Sequence, residues 1–219
     1  MTLQIRRIEP EKLNTDYSNL GDIILSELKK HLAGSNGNKI RAKLEEMTLA
    51  AGQRGHGVSA DEIPTPYTQS GLECQTMALI NGVNSVDGRK YLVGKDISSL
   101  VGKLRARAIQ EGHSAYTMVW IEQYFPSEGI PLQPMPAPLN PIKLAESLFQ
   151  DNTFLGISDA AKWHATSLVP LSNPTKVSFA VKLDSLGGRK SIIGVTQYVD
   201  MLLSMNPQND NYRLYQVKH

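Results

Sequence analysis

Cysteine is nearly missing from this chain of 219 residues: Cys74 is the only one. A single cysteine excludes an internal disulfide framework and any zinc site built on two or four thiolates. The five histidines stand far apart, without metal-ligand spacing. The expectation is a chain that folds in a reducing compartment and needs no cofactor. Charge of one sign is equally scarce. Twenty-three basic against 21 acidic residues leave a formal charge of +2, too little to mark a nucleic-acid partner, and no basic run is interleaved with aromatics. No run of 18 apolar residues offers a membrane span, and the opening Met1 to Pro10 lacks the apolar core of a secretory signal. What is present is ordinary for a globular protein: 41% hydrophobic and 20% charged residues. The length fits a single domain over 1–219, with 1–55 as a helical N-terminal extension or hairpin.

Taken in order, the pattern predicts helices first. Leu3, Ile5 and Ile8 hint at a short strand. Leu20, Ile23, Ile24, Leu28 and Leu32 fall at helical spacing, with Gly34 as a stop. Ser35 to Asn38 reads as a turn, followed by a helix carrying Ile40, Leu44, Met47 and Ala51. Gln53 to Ser70, with Gly55, Gly57, Pro64 and Pro66, is a long loop of the kind that is commonly functional or disordered. A short strand is expected at Tyr91 to Val93. A helix capped by Asp96 or Ser98 carries Ile97, Leu100, Val101, Leu104 and Ala108. Between Ala115 and Phe125 helix and strand compete. Six prolines between Pro126 and Pro141 predict an extended connector. Asn140 then caps a helix opened by Pro141.

The last third changes period. Thr153 to Ile157, His164 to Val169, the alternating Val177, Phe179, Val181 and Leu183, and Tyr212 to Val217 read as strands. A short helix lies at Val195 to Met205. Helices followed by an antiparallel sheet make the class α+β.

Cys74 sits where this matters for chemistry. The stretch Gln69-Ser-Gly-Leu-Glu-Cys74 is polar and contains glycine, while Met77, Ala78, Leu79, Ile80 and Val83 beyond it are helix-spaced and apolar. That places Cys74 in the first turn of a buried helix, where unpaired N–H groups and the macrodipole lower a thiol pKa towards neutrality. The thiolate is the nucleophilic form. His164 opens one predicted strand, and Asp184, twenty residues on, closes the next before Gly187 and Gly188. In an antiparallel pair those two positions are neighbours at one edge of the sheet. An imidazole beside the thiol, oriented by a carboxylate, is the cysteine counterpart of the serine triad. His113 is the rival base. His56 reads as a surface histidine, and Gln75, Thr76 and Asn81 as residues of the cleft or of the helix surface.

The order Cys74, His164, Asp184, with the cysteine on a helix and the other two on successive strands, resembles the papain-like cysteine proteases. More narrowly it resembles the YopT-like proteases and glutamine deamidases among bacterial effectors. The segments that carry this are Gln69 to Cys74, Asn152 to Ile157, Trp163 to Val169 and Val181 to Ser185. Glu73 in front of the cysteine and the missing Gly-Ser-Cys-Trp sequence depart from papain. The resemblance implies a papain-like fold, N-terminal helices including the nucleophile helix packed on a C-terminal antiparallel β-sheet. It also implies Gln69 as an oxyanion donor and a thiol hydrolase, first of all a protease, acting on a protein substrate, a host protein included. A protein glutamine deamidase and a ubiquitin-like isopeptidase are alternatives on the same triad, and a non-catalytic α+β adaptor is the alternative from another class. Location is expected to be cytoplasmic in the producing cell, or secreted without a cleaved signal peptide into a host cell.

Overall fold

The computed structural model describes residues 35–54, 57–71, 73–86, 90–113, 117–138, 140–159, 164–204 and 211–218. The strand expected near Leu3 and the helix expected before Gly34 lie outside them, as does His56. Six α-helices are described: α1 (Ser35–Arg54), α2 (Cys74–Ser85), α3 (Ile97–Gln110), α4 (Met118–Ile121), α5 (Pro141–Leu148) and α6 (Val195–Ser204). Six strands form one antiparallel sheet: β1 (Leu132–Met135), β2 (Thr153–Asp159), β3 (His164–Pro170), β4 (Ala180–Asp184), β5 (Arg189–Ile193) and β6 (Asn211–Val217). Their order across the sheet is β1-β6-β2-β3-β4-β5. The class is α+β.

Strand alternation divides the interior into two cores. Phe154, Ala165, Val169, Val181, Leu183 and Tyr215 face a cluster with α2, α3 and α4, while Leu155, Leu168, Ala180 and Leu214 face one with α1, α5 and α6. Both faces of the sheet are therefore covered, which is why β3 is buried along nearly its whole length instead of alternating. Leu44 of α1 is fully buried in the second core beside Leu144 and Tyr198. Residues 35–54 thus belong to the packed body.

Helix α2 is the centre of the first core: every residue in it except Gln75 is buried, the polar Thr76, Asn81, Asn84 and Ser85 included. It lies directly on the sheet, so close that a Cβ on Gly82 would overlap the Phe154 ring.

Several elements differ from the sequence expectation, each for a local reason. The Ser35–Asn38 turn is instead the first turn of α1. Tyr91 to Val93 is a tight turn rather than a strand. The proline-rich connector contributes β1, whose Pro134 is tolerated because β1 is an edge strand paired only with β6. The strand expected from Val177 begins at Ala180, because the Thr175 hydroxyl accepts from the Val177 and Ser178 N–H groups and closes a turn there. Beyond the Ser185–Gly188 turn the chain adds β5, an exposed edge strand without apolar alternation.

The long loop before α2 is pinned rather than loose. Val58 N–H donates to the Pro170 carbonyl and Ser172 N–H to that of Val58, both at 3.0 Å. The Asn81 side chain clamps the Tyr67 backbone from both sides, accepting from its N–H at 2.8 Å and donating to its carbonyl at 3.1 Å. Lys190 Nζ reaches the Ile63 carbonyl at 3.0 Å.

Candidate active site

The α2 N-terminus, the start of β3 and the end of β4 meet at one end of the sheet. β3 and β4 pair antiparallel with Thr166 opposite Asp184, so His164 lies just beyond the end of the shared ladder, on Asp184's side. His164 Nε2 and Asp184 Oδ1 are 2.7 Å apart. Their side chains are 18% and 26% exposed, shielded enough for the pair to hold its geometry. The sequence reading put the two at an edge of the sheet. They lie instead at the ends of interior strands, because β5 continues the sheet outside β4.

The carboxylate is itself held. Asp184 Oδ1 also accepts from Leu186 N–H at 2.8 Å, an Asx-type turn that stops the acid from swinging away. Next to it, Ser185 Oγ donates to Gln69 Oε1 at 2.6 Å, and Gln69 N–H donates to the Ser185 carbonyl at 3.1 Å. Gly188, at φ +61° and with Pro66 O and Thr68 Cγ2 at 3.1 Å from where a Cβ would sit, lets the loop lie against this turn. Gln69, expected as an oxyanion donor, therefore has its amide engaged within its own wall: Nε2 donates to the Gly71 carbonyl at 2.9 Å.

Cys74 begins α2. Its thiol meets the backbone N–H groups of Ala165, Gln75 and Cys74 itself. Ala165 is the residue after His164, so the sulfur sits one position along the chain from the imidazole. The expectation that the helix tip would bring the thiol towards neutrality is not met. Burial pushes its pKa above the ordinary value, the three N–H groups pull it down by less, and the Asp184 carboxylate pushes it up again. Desolvation wins because Cys74 is only 9% exposed.

Glu73, at the helix N-cap, makes no capping hydrogen bond. Its side chain turns to Arg105 of α3, Oε1 to Nη1 at 2.9 Å, and accepts from Ser70 Oγ at 3.4 Å. The carboxylate that the sequence sets against the thiol is thus matched by a cation, and the first-turn N–H groups stay aimed at the sulfur. One turn further along, Ser167 Oγ donates to the Ala78 carbonyl and joins β3 to α2.

The structure brings His164 and Asp184 together and sets the Cys74 thiol against the N–H of Ala165, the residue after His164, with Gln69 bonded to the turn that follows Asp184. The rival base His113 instead stacks on Trp120, ring centroids 4.2 Å apart and nearly parallel. Asn81 is a tether for the loop, and Thr76 is buried in the core. Sequence reasoning missed Arg105, Ser158 and Ser185, whose contacts cross 32, 83 and 116 residues. No local pattern reports contacts of that span.

Among the described residues no group of three or more His, Cys, Asp or Glu is placed to hold a metal ion, and no helix is long and apolar enough to cross a membrane. Compared with known proteins, the chain matches no family model, no curated protein and no solved structure.

Proposed function

We propose that the protein is a thiol hydrolase that attacks an amide carbonyl of a protein substrate with Cys74, using His164 as base and acid and Asp184 to orient the imidazole. One observation carries the reading. Asp184 takes His164 Nε2 at 2.7 Å, leaving Nδ1 as the nitrogen for the thiol, whose sulfur rests against the N–H of the very next residue.

The chemistry follows from the protonation states. With the thiol pKa raised, the resting nucleophile is Cys74–SH rather than a preformed thiolate–imidazolium pair. His164 Nδ1 removes the proton as sulfur attacks the carbonyl carbon, and the Asp184 carboxylate stabilises the imidazolium that forms. The oxyanion gains from the Cys74 and Gln75 N–H groups, which face the sulfur at rest. Gln69 supplies a donor through the amide hydrogen not committed to Gly71. Imidazolium then protonates the leaving amine, and the C–N bond breaks to give a thioester. Water, deprotonated by His164, attacks the thioester and releases a carboxylic acid with the thiol restored. Loss of a positioned base costs about 10²–10⁴ in rate.

Backbone cleavage is the first choice and glutamine deamidation the second, since both expel an amine from an amide. Mass spectrometry of a protein mixture separates them: new N-termini mark a protease, and glutamine-to-glutamate shifts without cleavage mark a deamidase. Cys74→Ala, His164→Ala and Asp184→Ala each abolish the product, the aspartate change with some residual turnover. Product formation by Cys74→Ala at the unmutated rate sinks the proposal. A second reading draws on the burial of Cys74 within the first core: the thiol is packing, and the domain is a non-catalytic adaptor. Its signature is a thiol whose reactivity ignores His164.

A further inference from the structure

Gln75 is the one residue of α2 that is not buried, yet its side chain is committed at both ends. Oε1 accepts from Met118 N–H, the first residue of α4, at 2.8 Å, and Nε2 donates to Ser158 Oγ of β2 at 3.0 Å. Ser158 is the register partner of Ala165 on β3, and Ala165 is the strand residue whose N–H meets the Cys74 thiol. A closed circuit results: Cys74 to Gln75 by the chain, Gln75 to Ser158 by its amide, Ser158 to Ala165 across the ladder, and Ala165 back to the sulfur.

Further along α2 the helix is held by apolar packing, by the Ser167 hydroxyl on the Ala78 carbonyl and by the Asn81 clamp on Tyr67. Apolar packing is non-directional, and at the first turn it is Gln75 that adds directed bonds to β2 and α4. Two hydrogen bonds of this length fix position along separate directions. One sets the tip against the strand beside His164, the other against α4. Gln75 is thus the side chain that ties the first turn of α2 to both β2 and α4.

We propose that Gln75 is a positioning residue that holds the Cys74 thiol in register with His164 by bracing the α2 tip to Ser158 and Met118. The proposal rests on the triad reading above. A misplacement of about 1 Å between reacting atoms costs on the order of 10²-fold.

The experiment measures iodoacetamide alkylation of Cys74 against pH in the full chain, for the unmutated protein, Gln75→Ala, Ser158→Ala, the double variant and His164→Ala. The part of the rate lost in His164→Ala defines the His164-dependent limb. Gln75→Ala lowers that limb at neutral pH by about 10- to 100-fold. Ser158→Ala, which removes a single buried hydroxyl, lowers it in the same direction, and the double variant is no worse than Gln75→Ala, because both changes cut one brace. In strong base, where no partner is needed to remove the proton, the variants react within about threefold of the unmutated chain; a merely loosened site instead changes reactivity at every pH. A His164-dependent limb left intact in both Gln75→Ala and Ser158→Ala overturns the bracing role alone, as does an equal change at all pH values. An unmutated protein without that limb overturns the triad reading, and this one with it.

Discussion

Replacing Gly82 by alanine probes the seat of the nucleophile helix. In an exposed helix interior this change is favourable by about 1 kcal/mol, because alanine loses less backbone entropy than glycine. Here a Cβ would sit 2.7 Å from Phe154 Cζ and nearer still to Cδ2 and Cε2. Phe154 is fully buried and stacked on Tyr215 with centroids 5.2 Å apart, so the ring has nowhere to go and α2 must lift from β2. Overpacking of this kind costs about 1–3 kcal/mol. Taking the upper end for a rigid aromatic and subtracting the helical gain leaves Gly82→Ala destabilised by about 2 kcal/mol. With a urea m-value of roughly 2–3 kcal/mol/M, the midpoint falls by close to about 1 M. Gly102→Ala in α3 is the control: nothing lies within 4 Å of its added Cβ, and it gains about 0.5–1 kcal/mol. Urea unfolding followed by tryptophan fluorescence reads both. Equal or higher stability of Gly82→Ala would mean that α2 does not rest on Phe154, and the placement of Cys74 over the sheet would fail with it.

Burial also raises the folded-state pKa of the Cys74 thiol, so the folded chain keeps that proton to higher pH than the unfolded chain. The resulting stability is fully present below the unfolded value of about 8.5 and is lost as pH climbs through the raised one. Between about pH 8 and about pH 10 the unmutated protein therefore loses more stability than Cys74→Ala; parallel melting curves in that window contradict the direction of the shift. Glu122, 4% exposed, takes Arg213 Nε at 2.9 Å and Nη2 at 2.5 Å, and accepts from the Tyr215 hydroxyl at 2.6 Å. Glu122→Ala strands a cation and a buried phenol. The expected loss is about 3 kcal/mol in chemical unfolding, the lower end for a broken buried pair because Arg213 is 32% exposed. A loss under about 1 kcal/mol refutes the cluster. Asn81→Ala leaves the Tyr67 N–H and carbonyl unpaired, about 1–3 kcal/mol, and turns the 57–71 loop into a site of rapid limited proteolysis; an unchanged digestion pattern counts against the clamp.

How far the sequence carried the account depends on the range of each interaction. The Asp96 and Asn140–Pro141 helix starts were legible because a cap acts within three residues: Asp96 accepts from Ser98 and Ser99, Asn140 from Ile142 and Lys143. The meeting of His164 and Asp184 was legible because an antiparallel hairpin fixes which ends face each other. β5 was not, since Arg189 to Ile193 is exposed and carries no buried face to alternate. β1 was hidden by its proline. The sign of the Cys74 shift was misread for a related reason. A helix tip is a local signal, whereas the burial that overrides it is set by the first core as a whole, whose members are spread along the chain. The same holds for Gln75, a residue of the cleft or of the helix surface by sequence and hydrogen-bonded at both ends in three dimensions.

The pH profile of Cys74 alkylation in the unmutated protein, set beside His164→Ala and Asp184→Asn, tests the central claim most directly. A neutral thiol served by an oriented imidazole gives a rate that climbs into the alkaline range without a neutral plateau, and whose value at about pH 7 drops at least about tenfold when the imidazole is removed. Asp184→Asn gives a smaller drop in the same direction. Three superimposable profiles would contradict the account and leave Cys74 as a buried side chain with no chemical partner.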